Sequence, residues 1–484
     1  MQLLPLTLNG LTMNFDAYDP QSFYDEYFAA TGKLRSELAP ILEWFQSLPS
    51  QDMPQIKHKL EGILEELGAT FSFEGEEARV LPFDPVPRVI TAEEWQTLSA
   101  GLKQRVAALN LFCADVYSDQ RIITEGIIPR DVIESAMRFR PECMGMKPPK
   151  DIWCHIGGID LVRNGDGNWC VLEDNLRVPS GIAYVLKNRA AMEQALPALM
   201  EKFSPRPVDD YARQLRTVMD LIAPGSDSSM AVLTPGADNS AYSEHQLLAE
   251  QMGIALVSPK EVTLSEGYLC YRTDNGLQRL DVIYRRGGEE MFSELDLGED
   301  YQDNLATLIE LCQTGKLVLA NAIGAGVGDD KVIYAYVPDM IRFYLDEEPL
   351  LPNVPTYLCW RDDDREYVLN HLDELVVKAA SAEGGDDMLV GVNSTEEERR
   401  AFAQKIREQP RAYMAQPTVY LSQIPTVVED GIEGRHTDLR PYVLHQGDEI
   451  YVLPGGLTRV ALEKGQLVVN SSQGGGAKDT WVLT

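Results

Sequence analysis

Apolar and polar positions along this chain change period several times, and the changes divide it. Ser22–Ala30, Leu34–Gln46 and Met53–Leu67 carry apolar residues at helical spacing, and Gly68 stands where the last helix would stop. Phe71–Phe73 reads as a short strand, and the proline-punctuated LPFDPVPRVIT (81–91) reads as a linker. Thr91 then opens a long helix. Glu94 completes a capping box, and Leu98, Leu102, Val106, Leu109 and Phe112 line the apolar face. Near 159 the period becomes two. Ile159–Val162 and Trp169–Leu172 are strands on either side of Asn164-Gly165-Asp166-Gly167, a hairpin, and a helix follows from Ser180-Gly181.

From 229 the pattern is strand, glycine-containing loop, helix, strand (SMAVLTPGADNSAYSEHQLLAEQMGIALVSPKEV), a βαβ-type unit. LQRLDVIYRRGGEE (277–290) adds a strand ending in Arg285-Arg286. Residues 316–341 repeat strand, Gly-rich loop and helix, giving a small α/β unit at 225–345. The last third is rich in short strands. LDELVVKAASAEGGDDMLVG (372–391) is strand, loop, strand; a helix ends at Pro410; AYMAQPTVYLSQIP is a strand; Gly-containing turns separate the rest. The fold class is α/β (α+β).

Composition narrows the function classes. The 484 residues carry a net charge of −32, which disfavours nucleic-acid and anionic-membrane partners but leaves room for a nucleotide. No run of about 18 apolar residues occurs, so no membrane span is expected. The N-terminus lacks a basic segment, so a secretory signal is not expected. The seven cysteines are scattered without CxxC, as for reduced thiols in a cytoplasmic protein. HExxH, GxSxG, GxGxxG and Walker A motifs are absent.

Several residue groups carry candidate chemistry. Asp160 and Glu173-Asp174-Asn175 gather oxygen ligands at the hairpin, which suits Mg²⁺; a polar hairpin end facing water is the alternative. Lys378 precedes a loop with Ser381, Gly384 and Gly385, which reads either as a phosphate cover or as an ordinary hairpin; its Glu383, Asp386 and Asp387 are an odd choice for phosphate. Lys331 follows Gly324, Gly326 and Gly328, while Asp329 and Asp330 beside it read as helix N-caps. Gln416-Pro417 offers amide and backbone groups to a nucleobase edge. Arg440 and Arg459 are anion clamps or ion-pair partners. The helix start near Ser180 can aim N–H groups at an anion, with Asn188 and Arg189 further along that helix. Mg²⁺–nucleotide chemistry is the common explanation.

The chain also resembles a known family. GGID (157–160), VLEDNLRVPSG (171–181), DVIYRR (281–286), ANAIGAGVGDDK (320–331), YVPDMI (336–341), LPNVPTY (351–357), LVVK (375–378), AQP (415–417), RHTDLRP (435–441), PGGLTRVAL (454–462) and VNSSQGGGAKDTWVL (469–483) run in the order seen in circularly permuted ATP-grasp proteins of type 2. These are related to the synthetase domain of glutathionylspermidine synthase. The resemblance implies a circularly permuted ATP-grasp fold with a helical region (1–80), a metal-binding lobe (81–222), an inserted pre-ATP-grasp-like α/β domain (223–350) and a nucleotide-binding lobe (351–484). It implies that Asp160, Glu173 and Asn175 hold Mg²⁺, that Lys331 and Lys378 meet the phosphates of ATP, and that Gln416 lies in the strand meeting adenine. It places Arg177 and Ser180 at an acid substrate. The loop after Lys378 departs from the family pattern: Ala379-Ala380-Ser381-Ala382-Glu383 replaces the usual Pro and Ser/Gly run, and Asp386-Asp387 replaces Gly-Tyr-Gly. No cysteine-amidase segment precedes the synthetase part, so the hydrolysis of the bifunctional relative is not expected.

The implied activity is an ATP-dependent carboxylate–amine ligase acting through an acylphosphate, with Arg177, Arg440 and Arg459 as further cations and residues 379–388 as a lid. The substrates would be a small carboxylate and an amine. A non-catalytic nucleotide-binding scaffold is the alternative, and glutathionylspermidine synthesis a third reading. The resemblance also points to a helical alpha-E family protein as a partner. Asp160→Asn or Glu173→Gln is expected to abolish ATP turnover without unfolding the protein, as ADP release and circular dichroism would show.

Overall fold

The computed structural model describes residues 15, 18–49, 52–71, 79–298, 303–380, 387–428, 431–466, 469 and 475–484. Ser381, Gly384 and Gly385 lie outside the described residues, as do Asn14 and Asp16 and most of the glycine turn at 471–476.

Among the described residues the largest sheet has nine strands. In spatial order they are Glu449–Val452, Tyr442–Gln446, Ile156–Arg163, Gly431–Arg440, Leu457–Val460, Gly476–Val482 and Phe83–Ile90. Trp169–Asn175 pairs with Ile156–Arg163, and Gln423–Val428 with Gly431–Arg440. The hairpin strand Ile156–Arg163 is buried along its whole length. It joins Trp169–Asn175 and the nearly continuous strands on either side of Pro441, all antiparallel.

The long helix runs Ala92–Val116, and its predicted apolar stripe is buried. Thr91 caps it by accepting the Glu94 N–H at 3.3 Å. The capping box is half formed, because the Glu94 carboxylate turns to Arg163 and accepts from Trp169 Nε1 at 2.9 Å.

Two expectations fail for identifiable reasons. Ser22–Ala30 is not a helix. Asp25 Oδ1 accepts the Tyr27 and Phe28 N–H groups, both at 2.8 Å, and the Glu26 N–H bonds to the Gln423 carbonyl, so Phe28–Ala30 becomes a strand. Nor is 81–91 a linker. Phe83–Ile90 is a buried strand parallel to Gly476–Val482 at one end of the nine-stranded order. Its ladder skips from Asp84–Lys478 to Arg88–Thr480, so Pro85 and Pro87 fall where their missing N–H groups are not needed.

A second sheet is parallel and has the order Val318–Ala320, Val282–Arg285, Met230–Leu233, Ala255–Val257. The chain enters at Met230–Leu233, passes outward to Ala255–Val257 through the helix Tyr242–Met252, and later adds the other two strands on the opposite side. The direction of winding therefore reverses between Met230–Leu233 and Val282–Arg285. A third, antiparallel sheet holds Tyr357–Leu358, Tyr413–Pro417, Leu375–Ala379 and Met388–Val390, with its own apolar cluster. Among the described residues, no helix is long and apolar enough to cross a membrane.

Asn321, at the end of a parallel strand, locks the second sheet to the hairpin. Its Oδ1 accepts the His155 and Ile156 N–H groups at 2.7 and 2.8 Å. Its Nδ2 donates to the Ile156 and Leu176 carbonyls at 2.7 and 2.5 Å. Asn321→Ala strands these buried backbone groups and is expected to lower stability by about 3–5 kcal/mol, read as a shift of the urea unfolding midpoint.

Candidate functional site

The site begins with a slip in the hairpin. Leu161 faces Val171, but Asp160 faces Glu173, so Leu172 is the extra residue of a bulge. Without it Asp160 would face Leu172, and Glu173 would turn to the other side of the sheet. With it, Asp160, Glu173 and Asn175 (opposite Gly158) share one face. Asp174 takes the opposite face, where its carboxylate meets Arg105 at 2.6 and 2.7 Å, both buried.

Neighbouring strands bring cations to the Asp160 face. Leu439 pairs with Leu161, which sets Arg440 beside Asp160, and Asp438 pairs with Arg459. Arg440 grips both Asp160 oxygens, Nε to Oδ1 at 2.5 Å and Nη2 to Oδ2 at 2.7 Å. Arg459 Nη2 donates to Asp160 Oδ2 at 2.7 Å, and Arg459 Nε donates to Asp438 Oδ1 at 2.8 Å. Burial alone would raise the Asp160 pKa; Arg440 and then Arg459 outweigh it and hold the carboxyl well below the usual carboxylate range. A Cβ at Gly158 would meet Pro179 at 2.8 Å and Arg440 Cδ at 3.4 Å, so the glycine leaves room for Arg440 to cross the hairpin. Asp438 was not singled out from the sequence. Its signal was the alternation in RHTDLRP, which puts Asp438 and Arg440 on one face.

Two lysines approach from other elements. Lys331 Nζ lies 3.7 Å from Glu173 Oε2, and the Lys331 N–H bonds to the Ala380 carbonyl at 3.0 Å. Of the two aspartates before it, Asp330 caps the short helix Lys331–Tyr334, whereas Asp329 accepts the Leu176 N–H at 2.6 Å at the hairpin's end. The glycines ahead of them serve close packing: a Cβ at Gly328 would stand 2.6 Å from Leu176 Cδ1. Lys378, on the third sheet, donates to Gln416 Oε1 at 2.8 Å, and Gln416 Nε2 donates to Thr356 Oγ1 at 3.1 Å. The Gln416 side chain is thus committed to positioning Lys378. Burial, opposed by Glu173 and reinforced by Lys331, lowers the Lys378 pKa to about 8.

Glu173, Asn175, Arg177, Ser180, Lys331, Arg440 and Arg459 line one cavity of about 720 Å³. Asp160 lies beneath its wall, 1% exposed. The Ser180 carbonyl accepts the Tyr442 hydroxyl at 2.8 Å. Arg177 Nη1 lies 3.7 Å from Glu289 and 3.6 Å from Glu290. The helix Ile182–Ala195 does aim N–H groups at an anion, but the anion is internal. Glu244 Oε2 accepts from Gly181 and Ala183 at 2.8 and 3.0 Å, and its other oxygen pairs with Arg286. Arg189 is also structural, donating to Asp479 at 2.8 Å.

Oxygen donors on one face fit a small hard cation, which takes one or two carboxylates and leaves positions for phosphate and water. Glu173 and Asn175 face the cavity, and Asn175 Nδ2 is buried without a hydrogen-bond partner among the described residues; an amide flip would put oxygen there. The arginines close Asp160. Asp160→Asn would leave two buried guanidiniums under-neutralised and is expected to cost about 3 kcal/mol or more, so it is a poorer probe of chemistry than Glu173→Gln. Because the folded pKa is depressed, the Asp160 contribution is full above about pH 4 and fades only as pH falls through the lowered value. Unfolding midpoints of wild type and Asp160→Asn over that range check this.

Known proteins share the architecture. An uncharacterized protein of Synechocystis sp. is 52% identical over 97% of this chain and 99% of its own length. One from Mycobacterium tuberculosis is 44% identical, covering 97% and 86%. A Frankia casuarinae protein, provisionally named a glutamate–cysteine ligase, is 39% identical over 96% of this chain, which spans only 54% of that protein. The solved apo structure of a glutathione synthetase-like effector from Globodera pallida superposes with a TM-score of 0.58 at 11% identity, covering 90% of this chain and 97% of the effector. The pattern of one family matches residues 87–461, a span that takes in the acidic hairpin, both lysines and both guanidiniums on Asp160. This chain belongs to the circularly permuted ATP-grasp type 2 family.

Proposed function

We propose that this protein is an ATP-dependent ligase that joins a carboxylate to an amine through an acylphosphate. The family supports ATP-dependent ligation in general, and the name of the Frankia casuarinae relative supports a carboxylate and an amine as the joined groups. The observation that carries the reading is the convergence of Glu173, Asn175, Lys331, Arg440 and Arg459 on one cavity wall, with Lys378 close enough for Glu173 to act on its charge.

Arg440, Arg459, Lys331 and Lys378 gather around Glu173 and the buried Asp160 and Asp438. Four cations brought together from separate elements suit a polyphosphate. Glu173 and Asn175 would hold Mg²⁺, with Asp160 beneath them; when bound, the ion neutralises phosphate charge and polarises the transferred phosphoryl group. Lys331 and Lys378 would hold the phosphate oxygens, with Gln416 keeping the Lys378 ammonium in place. The substrate carboxylate would lie near Arg177 and Ser180 and attack the terminal phosphorus, releasing ADP. An amine would then attack the acyl carbon and expel phosphate. The cavity walls would limit water, which otherwise hydrolyses the acylphosphate.

Glu173→Gln is expected to slow ADP release about a thousandfold while leaving the unfolding midpoint near wild type. The assay is ADP formation with pooled amino acids and amines. Mg-ATP binding by calorimetry without ADP release in any pool would instead favour the nucleotide-binding scaffold. Lys378 gives a pH signature. Phosphate binding needs its charged form and its pKa is about 8. Mg-ATP affinity should therefore hold up to about pH 7.5 and fall towards tenfold per unit above about pH 8. Lys378→Arg should flatten that fall.

A further inference from the structure

The cavity extends beyond the hairpin into a place with its own recognition chemistry. Its far wall is built from residues 235–245 and 286–294, the segments at the carboxyl ends of Met230–Leu233 and Val282–Arg285. Those are the two strands between which the parallel sheet reverses its winding. Such a crevice, outside the carboxyl ends of strands at a switch point, is where open α/β sheets bind ligands.

The crevice has an anion-binding side. The helix Tyr242–Met252 begins there without a side-chain cap at Ala241, so its macrodipole favours an anion, although its Tyr242 and Glu244 N–H groups bond to the Asn239 and Ala241 carbonyls. His245, on the first turn, is fully buried and lines the cavity. Its Nδ1 pairs with Thr234 Oγ1 at 2.8 Å, while Nε2 is buried with no partner among the described residues. Thr234 Oγ1 already accepts the Gly236 N–H at 3.2 Å. Directing the Thr234 hydroxyl proton to Nδ1 assigns the imidazole proton to Nε2, a neutral donor without a partner among the described residues. Burial, and then Arg286, keeps the ring uncharged. A buried donor left unmatched costs free energy, and a carboxylate at the helix start would match it.

The crevice also has a cation-binding side. Glu290 and Glu294 line the cavity, and both are exposed. The Glu290 side chain is 75% exposed, 3.6 Å from Arg177, which stands between the crevice and the hairpin. Donors on one side and carboxylates on the other match a group carrying both charges. We propose that this crevice binds the zwitterionic head of an α-amino acid or short peptide, ammonium towards Glu290 and Glu294 and α-carboxylate towards the Tyr242–Met252 helix and His245. A second carboxyl group of the same molecule then reaches Arg177 and the hairpin. The assignment of that second group rests on the ligase reading; the head subsite does not.

Calorimetry on the full-length protein tests it, with L-glutamate, glutarate (no ammonium) and 4-aminobutyrate (no α-carboxylate) as probes, with and without saturating Mg²⁺ and a non-hydrolysable ATP analogue. L-glutamate should bind, and each truncated probe should bind at least about tenfold more weakly. The doubly exposed change Glu290→Gln with Glu294→Gln should weaken L-glutamate about tenfold or more and leave glutarate and the ATP analogue unchanged. No L-glutamate binding, or glutarate binding as tight as L-glutamate, overturns the subsite while the ligase reading stands on nucleotide binding. Failure of the ATP analogue to bind overturns the ligase reading, and L-glutamate titrated into the nucleotide-free protein still decides the subsite.

Discussion

One carboxylate held by two guanidiniums fixes the working face of this protein. Asp160 belongs to the hairpin strand Ile156–Arg163, Arg440 to the strand ending at 440, and Arg459 to Leu457–Val460. Three strands from distant parts of the chain must be in register for these side chains to meet. Burying such charges is costly unless each finds its partner in good geometry. Here both Asp160 oxygens are bonded, and Arg459 is shared with Asp438. A slip of one residue would turn the carboxylate and the guanidiniums to opposite faces.

The same constraint explains the small residues around it. The bulge at Leu172 moves Glu173 onto the face of Asp160, and Gly158 lets Arg440 lie across the hairpin. Asn321 and Asp329 then hold the hairpin's ends by their backbone groups, tying the acidic face to the parallel sheet and to the turn before Lys331. The geometry is set by hydrogen bonds to main chain, which do not depend on what the cavity contains.

Charges that face the cavity are arranged differently. Glu173 lies 3.7 Å from both Lys331 and Arg440, and Arg177 lies 3.6–3.7 Å from Glu289 and Glu290. These separations are long for charge-assisted hydrogen bonds. The close pairs on the buried Asp160, whose guanidiniums also line the cavity, and the wider pairs at Glu173 and Arg177 divide the labour: the first hold shape, the second can exchange partners with a ligand of the proposed kind. Lys378 belongs with the second group in charge but with the first in fixation, since Gln416 and Thr356 hold it in line.

Much of this was legible in order along the chain. Period-two alternation gave the hairpin, period 3.6 the long helix, and strand–loop–helix spacing the parallel unit; collinear motifs gave the family. Alternation along Trp169–Asn175 places Asp174 on the face opposite Glu173 and Asn175. Other features depended on contacts that no local pattern records. Whether Phe83–Ile90 is a linker or a strand depended on finding Gly476–Val482 beside it, nearly 400 residues later. Whether Arg440 clamps a ligand or a carboxylate depended on a register shared by three strands, and whether the helix after Ser180 accepts an outside anion depended on Glu244 arriving from the helix Tyr242–Met252. Hydrophobic period and turn chemistry are properties of neighbours in sequence, so the sequence alone determined the elements and the candidate donors. Pairing of buried charges is a property of neighbours in space, so only the tertiary structure decided which donors face the cavity and which are spent in holding it.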